Sequence, residues 1–261
     1  MQINSTRYTI VFIVVLCVAC SLIVAASAVS LRDRQEMNQK LFRQKNVLLA
    51  AGLVKPGEKL SDREVMEIFD KNITTRLAVL ETGFLLPEDR LDPKTYDQRR
   101  ARNDPALSRA APPNAAQVMR VPNYGTVYQV VKDGAIDQVV IPVEGVAMWG
   151  TVYGFLAVDK DGTTVRGLTF YDQKETPGLG GEIGNPKWQA LWQGRKAFDE
   201  NWNPKLTVIK GPAGTPADDP HRVDGLSGAT ITSNGVSRLM AFWLSREGFG
   251  PYLRKLREGQ G

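Results

Sequence analysis

The chain has 261 residues, with 33 Lys and Arg against 28 Asp and Glu for a formal charge of +5. It is long enough to bury a sizeable core. The diffuse basicity, without an RNP motif or a basic strip interleaved with aromatics, argues against a nucleic-acid binder. One histidine and two cysteines argue against a protein-ligated metal site.

Tyr8 to Leu31 carries no charge, and Ile10 to Val29 is apolar enough and long enough to cross a bilayer as a helix. Arg7 and Arg32 bracket it. A cleaved signal peptide is the rival reading, because Ala26-Ser27-Ala28 resembles a cleavage site. A lipid anchor at Cys20 is weaker, since the apolar run continues past it. Both cysteines, Cys17 and Cys20, fall in this segment, so the remainder holds no disulfide. Arg32, Arg34, Lys40, Arg43 and Lys45 follow the span while only Arg7 precedes it, and the positive-inside count alone puts the main domain in the cytoplasm.

Leu31 to Leu53 continues as a charged helix ending near Gly52 and Pro56. Ser61 and Glu64 form a capping box for a helix that buries Val65, Ile68 and Phe69. Thr75 to Leu80 reads as a strand. Residues 82–123 then carry six prolines, which block regular ladders and helices. This reads as an extended connection, either contacting partner subunits or forming a flexible insertion.

A strand-rich centre begins at Tyr124. Asp133-Gly134 is a hairpin signal leading to a strand over Ile136 to Val143. Thr151 to Val158 and Thr163 to Tyr171 pair across Asp161-Gly162. Four strands with local hairpins predict an antiparallel sheet. Helices over 187–200 and 232–247 pack on it, giving an α+β fold. In the second helix, Val236, Leu239, Met240, Trp243 and Leu244 share one face, and Thr232 or Ser233 supplies the cap.

Four stretches bear on chemistry. Ser227, Gly228, Ala229 and Thr230 precede that helix, where free N–H groups and the helix dipole favour a phosphate. An ordinary Ser/Thr-rich cap is the plain alternative. Trp149 lies between strands and reads more readily as core than as a wall for a planar ring. In Glu175-Thr176-Pro177-Gly178-Leu179, Pro177-Gly178 fits a type II turn, and Leu179 offers an apolar face. A plain turn would leave Glu175 solvated. Lys210, before a Gly/Pro-rich loop, either offsets ligand charge or is a surface lysine. His221 reads as incidental.

Asp-Gly-Leu-Ser-Gly-Ala-Thr-Ile-Thr at 224–232 resembles the flavinylation motif of FMN-binding domains in Na⁺-pumping NADH:quinone reductases and Rnf complexes. The Gly-Phe-Leu-Ala following Trp149, Glu-Thr-Pro-Gly-Leu-Gly-Gly-Glu at 175–182 and Asn185-Pro186-Lys187-Trp188 extend the likeness to the NqrC family of the former. Gln173, where relatives often carry histidine, and Val146-Ala147-Met148 depart from the pattern. The resemblance implies one FMN joined by a phosphoester to Thr230. It implies that Ser227, Gly228 and Ala229 shape the attachment turn, and that Trp149, Glu175, Thr176, Gly178 and Leu179 line the ring, with Lys210 nearby. It implies residues 1–7 in the cytoplasm, a transmembrane helix over 8–31, a periplasmic segment over 32–123 and the FMN-binding domain over 124–261. Electrons would arrive from an iron–sulfur centre in the membrane and leave to FMN on the B subunit. Quinone and NADH would bind elsewhere in a six-subunit inner-membrane complex. The B, D and E subunits would be neighbours, and a separate flavin transferase would load the chain. An Rnf-type subunit with the same flavin, or a cofactor-free membrane-tethered scaffold, are the alternative readings.

Overall fold

The computed structural model describes residues 5–261. Residues 1–4, most of the expected cytoplasmic N-terminus, lie outside the described residues. The chain divides into two compact units, residues 1–43 and residues 44–261. The first consists of helix α1 (Thr6–Ala50), whose last residues belong to the second. α1 is long and apolar enough to cross a membrane, with a window of mean hydropathy 3.0.

In the second unit, α2 (Asp62–Asn72) starts at the expected capping box: the Ser61 hydroxyl accepts from Glu64 N–H, and the Glu64 carboxylate accepts from Ser61 N–H at 2.8 Å. Val65 and Phe69 are buried beneath it and Ile68 is partly so. The next elements are β1 (Ile73–Val79), α3 (Gln98–Asn103), β2 (Ser108–Ala110) and β3 (Arg120–Pro122). Then come β4 (Tyr124–Lys132), β5 (Ala135–Val146), β6 (Thr151–Asp159) and β7 (Val165–Asp172). The sheet is antiparallel in the order β1-β4-β5-β6-β7. It therefore has five strands rather than four. Its edge strand comes from the segment expected to precede the FMN-binding domain, with Ile73 opposite Val130 and Val79 opposite Tyr124.

Alternation along the strands divides the core. Val139, Ile141, Leu156 and Val158 face one cluster, while Val140, Phe155 and Ala157 face the other. The second cluster is covered by α2 and the end of α1 through Val47, Leu48 and Ala50. The first is covered by α4 (Pro186–Ala190), α5 (Thr230–Trp243) and α6 (Gly250–Arg257). The short parallel pair β8 (Thr207–Val208) and β9 (Arg222–Val223) leads into α5. Val236, Leu239, Met240, Trp243 and Leu244 are all buried, as their spacing predicts. Each such side chain contributes about 1.5–3 kcal/mol.

Two helix expectations need correction. No helix spans 187–200. A 3-10 turn (Gly180–Gly184) precedes the five-residue α4, and the chain then reverses at Gly194, where φ is +82°. This sends Arg195, 1 % exposed, beneath the following loop, where its guanidinium donates to the carbonyls of Thr215, Gly214 and Asp219. The second helix starts at Thr230 and stops at Trp243, rather than spanning 232–247. The proline-rich segment is not a loose insertion either. Ala116, Val118 and Val121 enter the main core, Gln98 Oε1 accepts from Thr126 N–H at 2.8 Å, and Arg102 pairs with Glu144.

Candidate functional site

The 224–230 stretch is pinned at its start and open at its end. Trp188 Nε1 donates to the Asp224 carbonyl at 2.9 Å, Ala213 N–H to the Asp224 carboxylate at 2.8 Å and Gly225 N–H to the Gly211 carbonyl at 3.0 Å. Thr230 is the first residue of α5. The expected cap by Thr232 or Ser233 is corrected: the cap residue is Ala229, which offers no side-chain acceptor. Ser233 N–H makes the first intrahelical bond, to the Ala229 carbonyl at 3.0 Å. The N–H groups of residues 230–232 therefore have no intrahelical acceptor, and the positive end of the helix dipole lies at Thr230. Ser227, Gly228 and Thr230 are exposed, while Ala229 is buried.

Two loops flank this turn. Ala147 N–H donates to the Gly150 carbonyl at 2.9 Å, which leaves Met148 and Trp149 at the tip between β5 and β6. Trp149 is 60 % exposed, so the core reading of that residue is wrong. The tight closure puts its ring outside the sheet's packing. The second loop is the expected type II turn. Leu179 N–H donates to the Thr176 carbonyl at 3.1 Å across Pro177-Gly178, with Gly178 at φ +77°. Thr176, Gly178 and Leu179 are exposed.

Close contacts hold the three segments together. A Cβ on Gly228, itself at φ +71°, would lie 3.0 Å from Leu179 Cδ2. One on Gly235 of α5 would lie 2.8 Å from Ala147 Cα. Glu175 is 5 % exposed rather than solvated. It accepts from Met148 N–H at 3.1 Å, from Trp149 N–H at 2.8 Å and from the Thr232 hydroxyl. The sequence reading missed the role of Thr232, two residues beyond Thr230, and the exposed apolar side chains of Met148 and Ile231 beside it. Only their adjacency to Trp149 and Thr230 in sequence could have flagged them.

Lys210 is exposed, one residue before the Gly211 carbonyl that anchors Gly225. His221 faces elsewhere: its Nδ1 lies 2.9 Å from the Lys196 carbonyl. It lines a separate cleft of about 470 Å³ with Asp161, Lys196, Asp199 and Trp202. The main site thus offers an accessible hydroxyl at a helix N-terminus, free backbone donors for an anion and an exposed tryptophan and leucine for a flat ring.

This sheet, its packed helices and the open turn before α5 define an FMN-binding domain. The family model of that description matches residues 148–245, which contain all three segments. The chain is 44 % identical over 259 residues to the C subunit of the Na(+)-translocating NADH-quinone reductase of Yersinia pestis, covering 98 % of this chain and 95 % of that one. It is 43 % identical over 260 residues to the same subunit of Pseudomonas aeruginosa, covering 98 % of each. The crystal structure of Shewanella oneidensis NqrC superposes with a TM-score of 0.75 at 32 % identity, over 86 % of this chain and 99 % of that one. The chain belongs to the NqrC family of Na⁺-translocating NADH-quinone reductase subunits.

Proposed function

We propose that this chain relays electrons within a Na⁺-translocating NADH:quinone reductase through one FMN, esterified by its phosphate to the Thr230 hydroxyl. The observation that carries the reading is the placement of Thr230: exposed, first in α5, on a helix start that no side chain caps. The residues present suit the group. Three N–H groups without intrahelical acceptors and the helix dipole favour a phosphodiester that keeps its negative charge. Gly228 keeps the approach free of a side chain, and a Cβ there would crowd Leu179. Trp149, Leu179, Thr176 and Gly178 stand exposed around the turn to receive the ring. Lys210 adds positive charge nearby.

When bound, FMN supplies a centre that exchanges one or two electrons, and the protein supplies position and electrostatics. Attachment requires the Thr230 oxygen to displace AMP from the phosphorus of FAD and to lose its proton, a reaction assigned to a separate flavin transferase. Residues 8–31 would anchor the chain in the inner membrane, with residues 1–7 cytoplasmic and the remainder periplasmic. In this reading electrons would arrive from a membrane iron–sulfur centre and leave to FMN on the B subunit, with the D and E subunits as neighbours. The near full-length match to NqrC relatives supports this reading over an Rnf-type subunit.

The test is in-gel flavin fluorescence and intact mass of denatured protein after co-expression with a flavin transferase, beside Thr230→Ala. A fluorescent band carrying one FMN, absent in the variant, is the expected result. A colourless parent despite an active transferase would favour the scaffold reading.

A further inference from the structure

Glu175 joins all three segments of the site. Its carboxylate is buried, with Met148 and Trp149 N–H groups on Oε1 and the Thr232 hydroxyl on Oε2. Among the described residues no cation forms an ion pair with it. The two backbone groups can only donate, so an ionised carboxylate, acceptor at both oxygens, satisfies all three donors at once. Gly180 walls the contact in: a Cβ there would lie 2.6 Å from Glu175 Oε2 and would collide with Thr232 Oγ1. Thr232 shares the first turn of α5 with Thr230. The same carboxylate thus fixes the backbone under the Trp149 ring and the turn that carries the attachment hydroxyl.

Resting on the reading that FMN is held at Thr230, we propose that Glu175 is a positioning residue for the flavin, and that its fixed negative charge holds the reduction potential of the ring down. A negative charge beside an electron acceptor disfavours each added electron, and burial keeps water and salt from screening it. Thr232 is the second member of the device, because its hydroxyl is the link from the carboxylate to α5.

The experiment uses the full-length, flavin-loaded chain. Glu175→Gln removes the charge but keeps an oxygen for the two N–H groups and offers its amide to Thr232 Oγ1. Thr232→Val keeps the charge and cuts the link, and Thr232→Ser restores the link. In-gel fluorescence first establishes that the parent is loaded at Thr230; failure there sinks the attachment reading and leaves nothing for Glu175 to position. In loaded protein, a spectroelectrochemical titration should place the Glu175→Gln midpoint above the parent's, raising the ratio of reduced to oxidised flavin several-fold at the parent midpoint. Native flavin emission, quenched against Trp149, should brighten in Thr232→Val and return to the parent level in Thr232→Ser. An unchanged midpoint in loaded Glu175→Gln overturns the electrostatic role. Unchanged emission in Thr232→Val overturns the positioning role. If Glu175→Gln takes up no flavin, the Thr232 pair decides: brightening reversed by serine supports the device, and no difference rejects it.

Discussion

Replacing Gly225 by alanine should unfold the start of the turn that precedes α5. The reason is close backbone approach, not φ, since Gly225 does not have a positive φ. A Cβ at this position would overlap the Ile209 carbonyl oxygen and lie 3.2 Å from its carbon and 3.3 Å from Gly211 N. Both neighbours are backbone, so no rotamer change relieves the overlap. The chain must shift, and the shift breaks the bond from Gly225 N–H to the Gly211 carbonyl, now 3.0 Å. Overpacking costs about 1–3 kcal/mol, and the lost hydrogen bond adds about 1 kcal/mol. The sum is about 2–4 kcal/mol, which for a unit of this size lowers Tm by roughly 4–16 °C. Gly228→Ala is the internal control. Its φ of +71° costs about 1–2 kcal/mol in the left-handed region, but its one close neighbour is the flexible end of Leu179. Thermal unfolding of the detergent-purified chain, followed by circular dichroism, compares the two. Gly225→Ala should melt below Gly228→Ala. A Gly225→Ala melting point within a degree of the parent would refute the reasoning.

Two further perturbations probe the scaffold. Burial pushes the Glu144 carboxyl above its ordinary range, and Arg102 opposes that shift. Arg102→Ala should cost about 3–5 kcal/mol at neutral pH by leaving a buried charge unpaired. A carboxyl with a raised pKa binds its proton more tightly folded than unfolded, so the deficit should shrink as pH falls towards 5; a pH-independent deficit in denaturant titrations would contradict this. Ser61→Ala removes the acceptor for Glu64 N–H and should cost about 1 kcal/mol. Hydrogen exchange should then quicken first in α2, and unchanged exchange there would deny the capping box its role.

Features of the fold are legible in the sequence where local physics decides. The capping box, the Asp133-Gly134 hairpin, the Pro177-Gly178 turn and the buried face of α5 all depend on neighbours a few residues away. Features set by distant parts of the chain are not legible in it. The pairing of β1 with β4 closes over more than forty residues of proline-rich chain, and no pattern within Ile73–Val79 names its partner. The expected helix over 187–200 has helically spaced tryptophans at 188 and 192, but these pack edge to face at 5.4 Å around a reversal at Gly194. Burial of Arg195 beneath a loop overrides the surface prior for arginine. The site shows the same division. A helix following the 224–230 motif is legible locally, whereas the inward turn of Glu175 and the outward turn of Trp149 follow from two loops meeting at the first turn of α5.

The central claim is that FMN is esterified at Thr230, and peptide mass spectrometry with fragmentation tests it most directly. Protein made beside a flavin transferase would be digested, and the peptide spanning the 224–232 motif sequenced. The account predicts a mass increment of one FMN less one water on Thr230, with Ser227 and Thr232 unmodified. An adduct on either of those residues, or a motif peptide recovered only unmodified from fluorescent protein, would contradict it.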